Sequence, residues 1–329
     1  MDPLKNKTIL LTGGTGSFGQ KFAEIVLKES KPNAIRIFSR GEKKQLDMMN
    51  KFSKYEDKLR FFIGDVRDEK RLSRAMSNVD IVVHAAALKQ VPACEYNPIE
   101  AVRTNIDGTI NIIDTAIDNG VDKVMAISTD KAVHPVNLYG ATKMTAEKLF
   151  IQGNSYTGIK NTKFSCVRYG NVIGSRGSVI PLFLKQKKEG VLTITDDRMT
   201  RYWLSIEQGV RFVINSIEKM LGGEIFVPKI PSMKITDLGA AIAPKAKSKI
   251  IGIRPGEKIH EILLTEDEAR HSKEFDSFFV IEPEHPFWDE KHLKGGKTLP
   301  LGFSYSSDNN KEWLNKKEIM KFIKDVEFE

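Results

Sequence analysis

Tyr139 and Lys143 are the residues whose types and spacing most clearly suggest chemistry, and they follow closely on Ser128-Thr129-Asp130-Lys131. Four positions apart on a helix, a tyrosine and a lysine share one face. A nearby ammonium favours the phenolate and brings the tyrosine toward a pKa at which it can take a proton from an alcohol. Thr129 is placed to donate a hydrogen bond to the same substrate oxygen. A Tyr-x-x-x-Lys spacing is common by chance, so its weight depends on what surrounds it.

Thr12-Gly13-Gly14-Thr15-Gly16-Ser17-Phe18-Gly19 supplies that context, lying between an apolar β-branched run and a helical pattern. Glycines at 13, 16 and 19 permit a tight turn, close backbone approach to a pyrophosphate, and close helix–strand packing. The helix that follows offers free N–H groups to phosphates. Gly13, Thr15, Gly16, Ser17, Phe18 and Gly19 are therefore candidate dinucleotide ligands. The second strand ends in Ser39-Arg40-Gly41-Glu42-Lys43-Lys44, with no acid at its tip. An NAD site usually places a carboxylate there. A hydroxyl, a guanidinium and ammonium groups suit a 2′-phosphate instead, which predicts NADP through Ser39, Arg40 and Lys43. Glu42 lies beyond the turn and reads as part of the next helix start. Asp65 and Val66, after the third strand, are candidates for holding adenine; Asp65 is equally readable as a helix N-cap.

These residues must be held by an alternating framework. Thr8–Thr12, Ile35–Phe38, Arg60–Ile63, Ile81–Ala86, Val124–Ser128 and Phe164–Arg168 read as buried strands. Helical patterns lie between them, including one across residues 99–117. Such alternation predicts an α/β, Rossmann-like, doubly wound parallel sheet with its working residues at the carboxyl ends of the strands. The pattern loosens after Gly174, where Val227–Pro231, Ile251–Gly256 and Pro283–Phe287 read as shorter elements. The expected division is a dinucleotide-binding and catalytic domain over 1–175 and a smaller, mainly substrate-binding lobe over 176–329, with an approximate boundary and interleaving of the two left open.

The 329 residues are 40% hydrophobic and 29% charged, an ordinary globular composition that argues against disorder and disulfide frameworks. No apolar run approaches the roughly 20 residues of a spanning helix, and the start lacks a signal peptide's pattern, so a cytoplasmic protein is expected. Cys94 and Cys166 match no metal spacing and are expected to be reduced. The net charge of +8 is scattered, mostly beside acids, without the basic blocks and interleaved aromatics of a nucleic-acid surface. Some of the excess is readable as facing small anions. Trp203 and Trp313 read as packing residues.

Taken together, these motifs resemble an extended short-chain dehydrogenase/reductase, and within it the inverting UDP-N-acetylglucosamine 4,6-dehydratases of pseudaminic acid synthesis. The resemblance runs through His84–Lys89, Ser128–Lys143, the 168–177 segment, Met199-Thr-Arg201, the 227–234 segment, Ile253–Glu257 and the 302–310 segment. It implies oxidation at C4 of the sugar, loss of water across C5 and C6, reduction at C6, and a cofactor recycled without net redox. Retaining dehydratases carry Asp-Glu after the catalytic threonine; this chain has Asp130-Lys131. By resemblance Lys131 is the C5 base, neutral when it acts, and Asp130 the protonated acid at C6. A solvated strand-end lysine is the ordinary alternative. The resemblance adds Ala85 and Ala86 to the cofactor site and Lys89, Asn171, Arg254 and Glu257 to a UDP-sugar site. For Lys89 and Asn171 a surface lysine and a turn asparagine remain open. It also implies a homo-oligomer, with hexamers known in the family, and no metal. The alternatives are a retaining 4,6-dehydratase without C5 inversion and a UDP-sugar 4-epimerase, which uses the same Tyr and Lys without the Asp-Lys pair; a non-enzymatic NADP sensor could dispense with both.

Overall fold

Apolar runs that do not alternate require cover on both faces, and the strands of the first half obtain it. The structure, a computed structural model, describes residues 2–173, 179–288 and 291–324. The end of the 168–177 motif and the expected boundary at 175 lie outside the described residues. Six strands run parallel: β1 (Thr8–Thr12), β2 (Ala34–Ser39), β3 (Leu59–Ile63), β4 (Ile81–His84), β5 (Lys123–Thr129) and β6 (Lys163–Tyr169). Their spatial order is β3-β2-β1-β4-β5-β6. Leu10, Val82, Val83, Val124 and Val167 are inaccessible to solvent, the burial a doubly covered parallel sheet imposes. The chain reverses direction across the sheet between β1 and β4. A crevice therefore opens at their carboxyl ends.

The later strands are β7 (Asn171–Ile173), β8 (Val191–Ile194), β9 (Thr200–Ser205), β10 (Ile225–Pro228), β11 (Ser232–Lys234), β12 (Lys247–Ile250), β13 (Ile262–Leu264), β14 (Ser272–Glu274), β15 (Phe278–Ile281), β16 (Lys297–Thr298) and β17 (Tyr305–Ser306). β10 continues the large sheet parallel to β6, and β15, β14 and β16 extend it antiparallel. The remainder form small sheets, β11-β9-β7, β12-β8 and β13-β17. A second apolar cluster includes Ile180, Phe183, Leu192, Trp203, Leu238 and Ile319. The second half thus both widens the main sheet and builds a core of its own.

Strand positions agree with the sequence reading within a residue or two, except that β4 stops at His84. Ala85 and Ala86 are already loop. The 99–117 pattern is also not one regular helix. Pro98–Val102 and Gly108–Asp118 are helical, joined by a π-type turn over Arg103–Asp107. Val227–Pro231 corresponds to β10 in part; Ile251–Gly256 and Pro283–Phe287 form no strand.

Candidate active site

A cavity of about 1740 Å³ opens at the carboxyl ends of the parallel strands and continues between the main sheet and the second core. Gly13, Thr15, Gly16, Ser17 and Phe18 line one end of it. Gly13 has φ of +66°, and a Cβ there would come within 2.9 Å of the Ala85 carbonyl and the Ala86 nitrogen. The turn is thus pressed against the loop after β4, and Ala85 and Ala86 also line the cavity. Gly19 does not; a Cβ on it would strike Gly14, so its part is to let the Ser17–Glu29 helix close on the turn.

Ser39, Arg40, Gly41 and Lys44 line the cavity beside the tip of β2, and Lys43 does not. Both lysines belong to the helix Glu42–Lys51, where one position is a rotation of about 100°. Asp65 and Val66 line the same end. Asp68, not Asp65, caps the next helix, accepting from Arg71 N at 2.9 Å. Arg67 pairs with the Asp65 carboxylate at 2.7 Å, and Arg40 lies 3.8 Å from it.

The glycine cradle fits a dinucleotide pyrophosphate, and the rest of the cavity fits a polar ligand. Ser128 Oγ, Asn171 Oδ1, Trp203 Nε1 and Glu257 Oε2 are buried, find no hydrogen-bond partner among the described residues, and belong to residues lining it. Buried polar atoms are otherwise nearly always satisfied. Lys89 and Arg254 line it too. Trp203 is both packed in the second core and part of this wall; Trp313 donates instead to Asn310 O. Cys94 and Cys166 are buried free thiols. Among the described residues, no group of three His, Cys, Asp or Glu could hold a metal, and no helix is long and apolar enough to cross a membrane.

The structure brings Thr129, Asp130, Lys131, Tyr139 and Lys143 together. Lys143 Nζ donates to Ile127 O at 2.7 Å, and burial pulls its pKa below the ordinary lysine value. Burial pushes the Tyr139 phenol up to about 12; the Lys131 charge and a Thr129 hydrogen bond oppose that rise. The opposing cation is thus Lys131, where the sequence points to Lys143. Asp130 is fully buried, and its Oδ1 accepts from Thr129 Oγ1 at 2.9 Å and from Lys131 Nζ at 3.0 Å. Burial holds its carboxyl above the usual range. Burial alone would lower Lys131, but the charges of Asp130 and Glu261 outweigh it and hold the ammonium above its ordinary value.

Supporting contacts explain this convergence. Asn137 caps the Leu138–Gly153 helix by accepting from Gly140 N, and its amide donates to Gly256 O at 2.8 Å, tying the Arg254–Glu257 turn to the catalytic helix. A Cβ at Gly140 would collide with the Lys131 carbonyl, so only glycine lets that helix sit so close. Asn105, in the π-type turn, holds Leu88 N and O at 2.8 and 2.9 Å and Thr142 Oγ1 at 3.0 Å, which fixes the loop carrying Lys89. Glu261, Arg201 and Lys258 also line the cavity beside Lys131. Sequence reasoning assigned them no role. Met199-Thr-Arg201 was visible as a motif, but nothing local joins it to Lys131.

A family model described as polysaccharide biosynthesis protein matches residues 9–283. A Campylobacter jejuni protein named UDP-N-acetylglucosamine 4,6-dehydratase (inverting) is 52% identical over 330 residues, covering 98% of each chain. A Rickettsia akari protein named UDP-glucose 4-epimerase is 41% identical, covering 98% of this chain and 97% of its own. Among solved structures, Pen from Bacillus thuringiensis superposes with a TM-score of 0.89 at 40% identity, over 99% of this chain and 100% of that one.

Proposed function

The chain belongs to the polysaccharide biosynthesis protein family, and from that premise we propose that it is a lyase: an NADP-dependent, inverting UDP-N-acetylglucosamine 4,6-dehydratase. The observation that carries this reading is the Asp130–Lys131 pair at 3.0 Å: half-buried Lys131 lines the cavity with Thr129 and Tyr139, and Asp130 lies fully buried behind it. A 4-epimerase needs only the tyrosine and the lysine. The name of the 52% identical relative points the same way.

The Gly13–Phe18 cradle, with Ala85, Ala86, Asp65 and Val66 about it, would hold the cofactor, and Ser39, Arg40 and Lys44 would receive a 2′-phosphate. When bound, the cofactor supplies hydride acceptance at C4 and hydride donation at C6. Tyr139, as its phenolate, takes the C4 hydroxyl proton while Thr129 steadies that oxygen; the Lys131 charge favours the phenolate, and Lys143 anchors the helix carrying Tyr139 to Ile127 O of β5. Elimination needs a neutral Lys131 and a protonated Asp130. One proton moving across the 3.0 Å contact from Nζ to Oδ1 creates both at once, without drawing on solvent. Lys131 then takes the C5 proton and Asp130 gives its proton to the departing C6 oxygen, which leaves as water. The pair ends as the ion pair from which it started. A solvent-derived proton then reaches C5 from the other face, which inverts that centre.

Lys89 faces the sugar, Arg254 and Asn171 the diphosphate, and Glu257 the ribose. Residues 1–175 carry cofactor and catalysis, and 176–329 mainly substrate. A cytoplasmic homo-oligomer, a hexamer by family resemblance, completes the reading; light scattering of the purified protein checks the assembly.

The 41% identical relative named as an epimerase supports a second reading, 4-epimerisation of a UDP-sugar. NMR of the reaction with UDP-GlcNAc in D2O separates the two. The dehydratase yields a 4-keto-6-deoxy sugar with inverted C5 bearing deuterium, and formation of UDP-GalNAc alone would establish the epimerase.

A further inference from the structure

Lys131 is held between two carboxylates. Asp130 Oδ1 lies 3.0 Å from its ammonium on one side, and Glu261 Oε1 lies 3.6 Å away on the other. Glu261 stands just before β13, and its side chain is only 3% exposed. Two further cations hold it there. Arg201 Nε approaches Oε1 at 3.6 Å from β9, and Lys258 Nζ approaches Oε2 at 3.3 Å. Lys258 also donates to Val133 O at 2.7 Å and to Asp130 O at 3.3 Å, so it braces the turn that carries the pair. The phenols of Tyr139 and Tyr202 complete the titratable groups around Asp130 and Lys131. A buried carboxylate with this many ionic partners is more than a surface ion pair, and no step above uses it.

We propose that Glu261 is a positioning residue that sets where, on the pH scale, the Asp130–Lys131 pair holds one proton. The proposal rests on the dehydratase reading. The pair is competent with one proton and incompetent with two or none, so C5 exchange follows a bell-shaped pH profile whose limbs belong to the pair. A negative charge beside a group favours its protonated form. Glu261 therefore raises both limbs, in accord with the direction in which its charge acts on Asp130 and on Lys131. It also stabilises the ammonium that Lys131 becomes on taking the C5 proton.

The test is the pH profile of C5 deuterium incorporation from D2O, with UDP-GlcNAc and the NADP-loaded protein. In Glu261→Gln both limbs move to lower pH by about one unit or more. In Lys258→Met, which removes a positive charge from the same cluster, they move to higher pH. A merely structural role would lower the height of the bell and leave its position alone. Opposite displacements support the proposal; a bell that keeps its position in either folded variant overturns it. If Glu261→Gln fails to melt cooperatively, Lys258→Met decides alone. Absence of product and of C5 exchange in the unaltered protein would instead sink the dehydratase reading itself.

Discussion

In the proposed mechanism Lys131 and Asp130, 3.0 Å apart, act as one titrating unit, because a single proton serves both. Replacing Lys131 with Met should remove C5 exchange by roughly 10²-fold or more, and should slow oxidation at C4 by less, through loss of the charge that opposes the rise of the Tyr139 phenol. Single-turnover cofactor absorbance reads the first step and deuterium at C5 the second; equal loss of both would refute the division of labour. On the proposed NADP reading, cofactor choice also rests on single side chains. Arg40→Ala and Lys44→Ala should each reduce the preference for NADP over NAD by about tenfold, the scale of one lost charge-assisted contact. The effect of Lys43→Ala should be smaller, because Lys43 does not line the cavity. Kinetics with both cofactors check this. Tyr139, Lys143 and the glycine turn were legible in the sequence because their meaning is local: strand, turn and helix are consecutive. Glu261 was not. It is 130 positions from Lys131, and no periodicity joins them.

The site depends on elements clamped at points away from the chemistry. Arg168 on β6 forks to Glu147 of the catalytic helix at 2.7 Å and to Glu268 at 2.9 Å, and donates to Leu263 O at 3.0 Å. Three elements thus meet on one buried guanidinium. Burial would raise the Glu268 carboxyl, but Arg168 and the Thr265 hydrogen bonds hold it down to about 2, against an ordinary 4.5. A depressed carboxylate adds stability that is fully present above pH 4.5 and lost as pH falls toward 2, here about 3 kcal/mol. Glu268→Gln should therefore lower the melting temperature at neutral pH and flatten its fall between pH 4.5 and 2. Arg168→Met should cost about 3–5 kcal/mol by stranding two carboxylates, and Arg168→Lys should not restore it, having no fork to offer both. Denaturant unfolding at several pH values measures these effects. The π-type turn over Arg103–Asp107 marks the limit of pattern reading at this scale. Apolar spacing across residues 99–117 suggests one helix. The extra residue in that turn shows only through Asn105, whose amide must reach both Leu88 and Thr142.

The molecule as a whole does not separate where the sequence pattern loosens. β6 is flanked by β5 on one side and by β10 on the other, with Ile225 opposite Cys166 and Phe226 opposite Val167. Phe164, Cys166 and Val167 are completely buried, and the helix Ile206–Lys219 lies against both β6 and the Ser17–Glu29 helix. The break in strand–helix alternation was readable; the return of the chain to the same sheet 50 residues later was not, because parallel pairing at that separation leaves no local trace. A fragment ending at residue 175 would expose a paired edge and an apolar face together. It should aggregate, or melt without a cooperative transition, even with NADP present. The proposed division into 1–175 and 176–329 is then one of labour within a single folding unit. A soluble fragment that melts cooperatively and binds NADP would make it a division of structure as well. The same connection is why the proposed mechanism draws on both halves: Glu261, Arg201 and Lys258 cluster at Lys131 only because the later strands are anchored on the sheet that ends in Thr129.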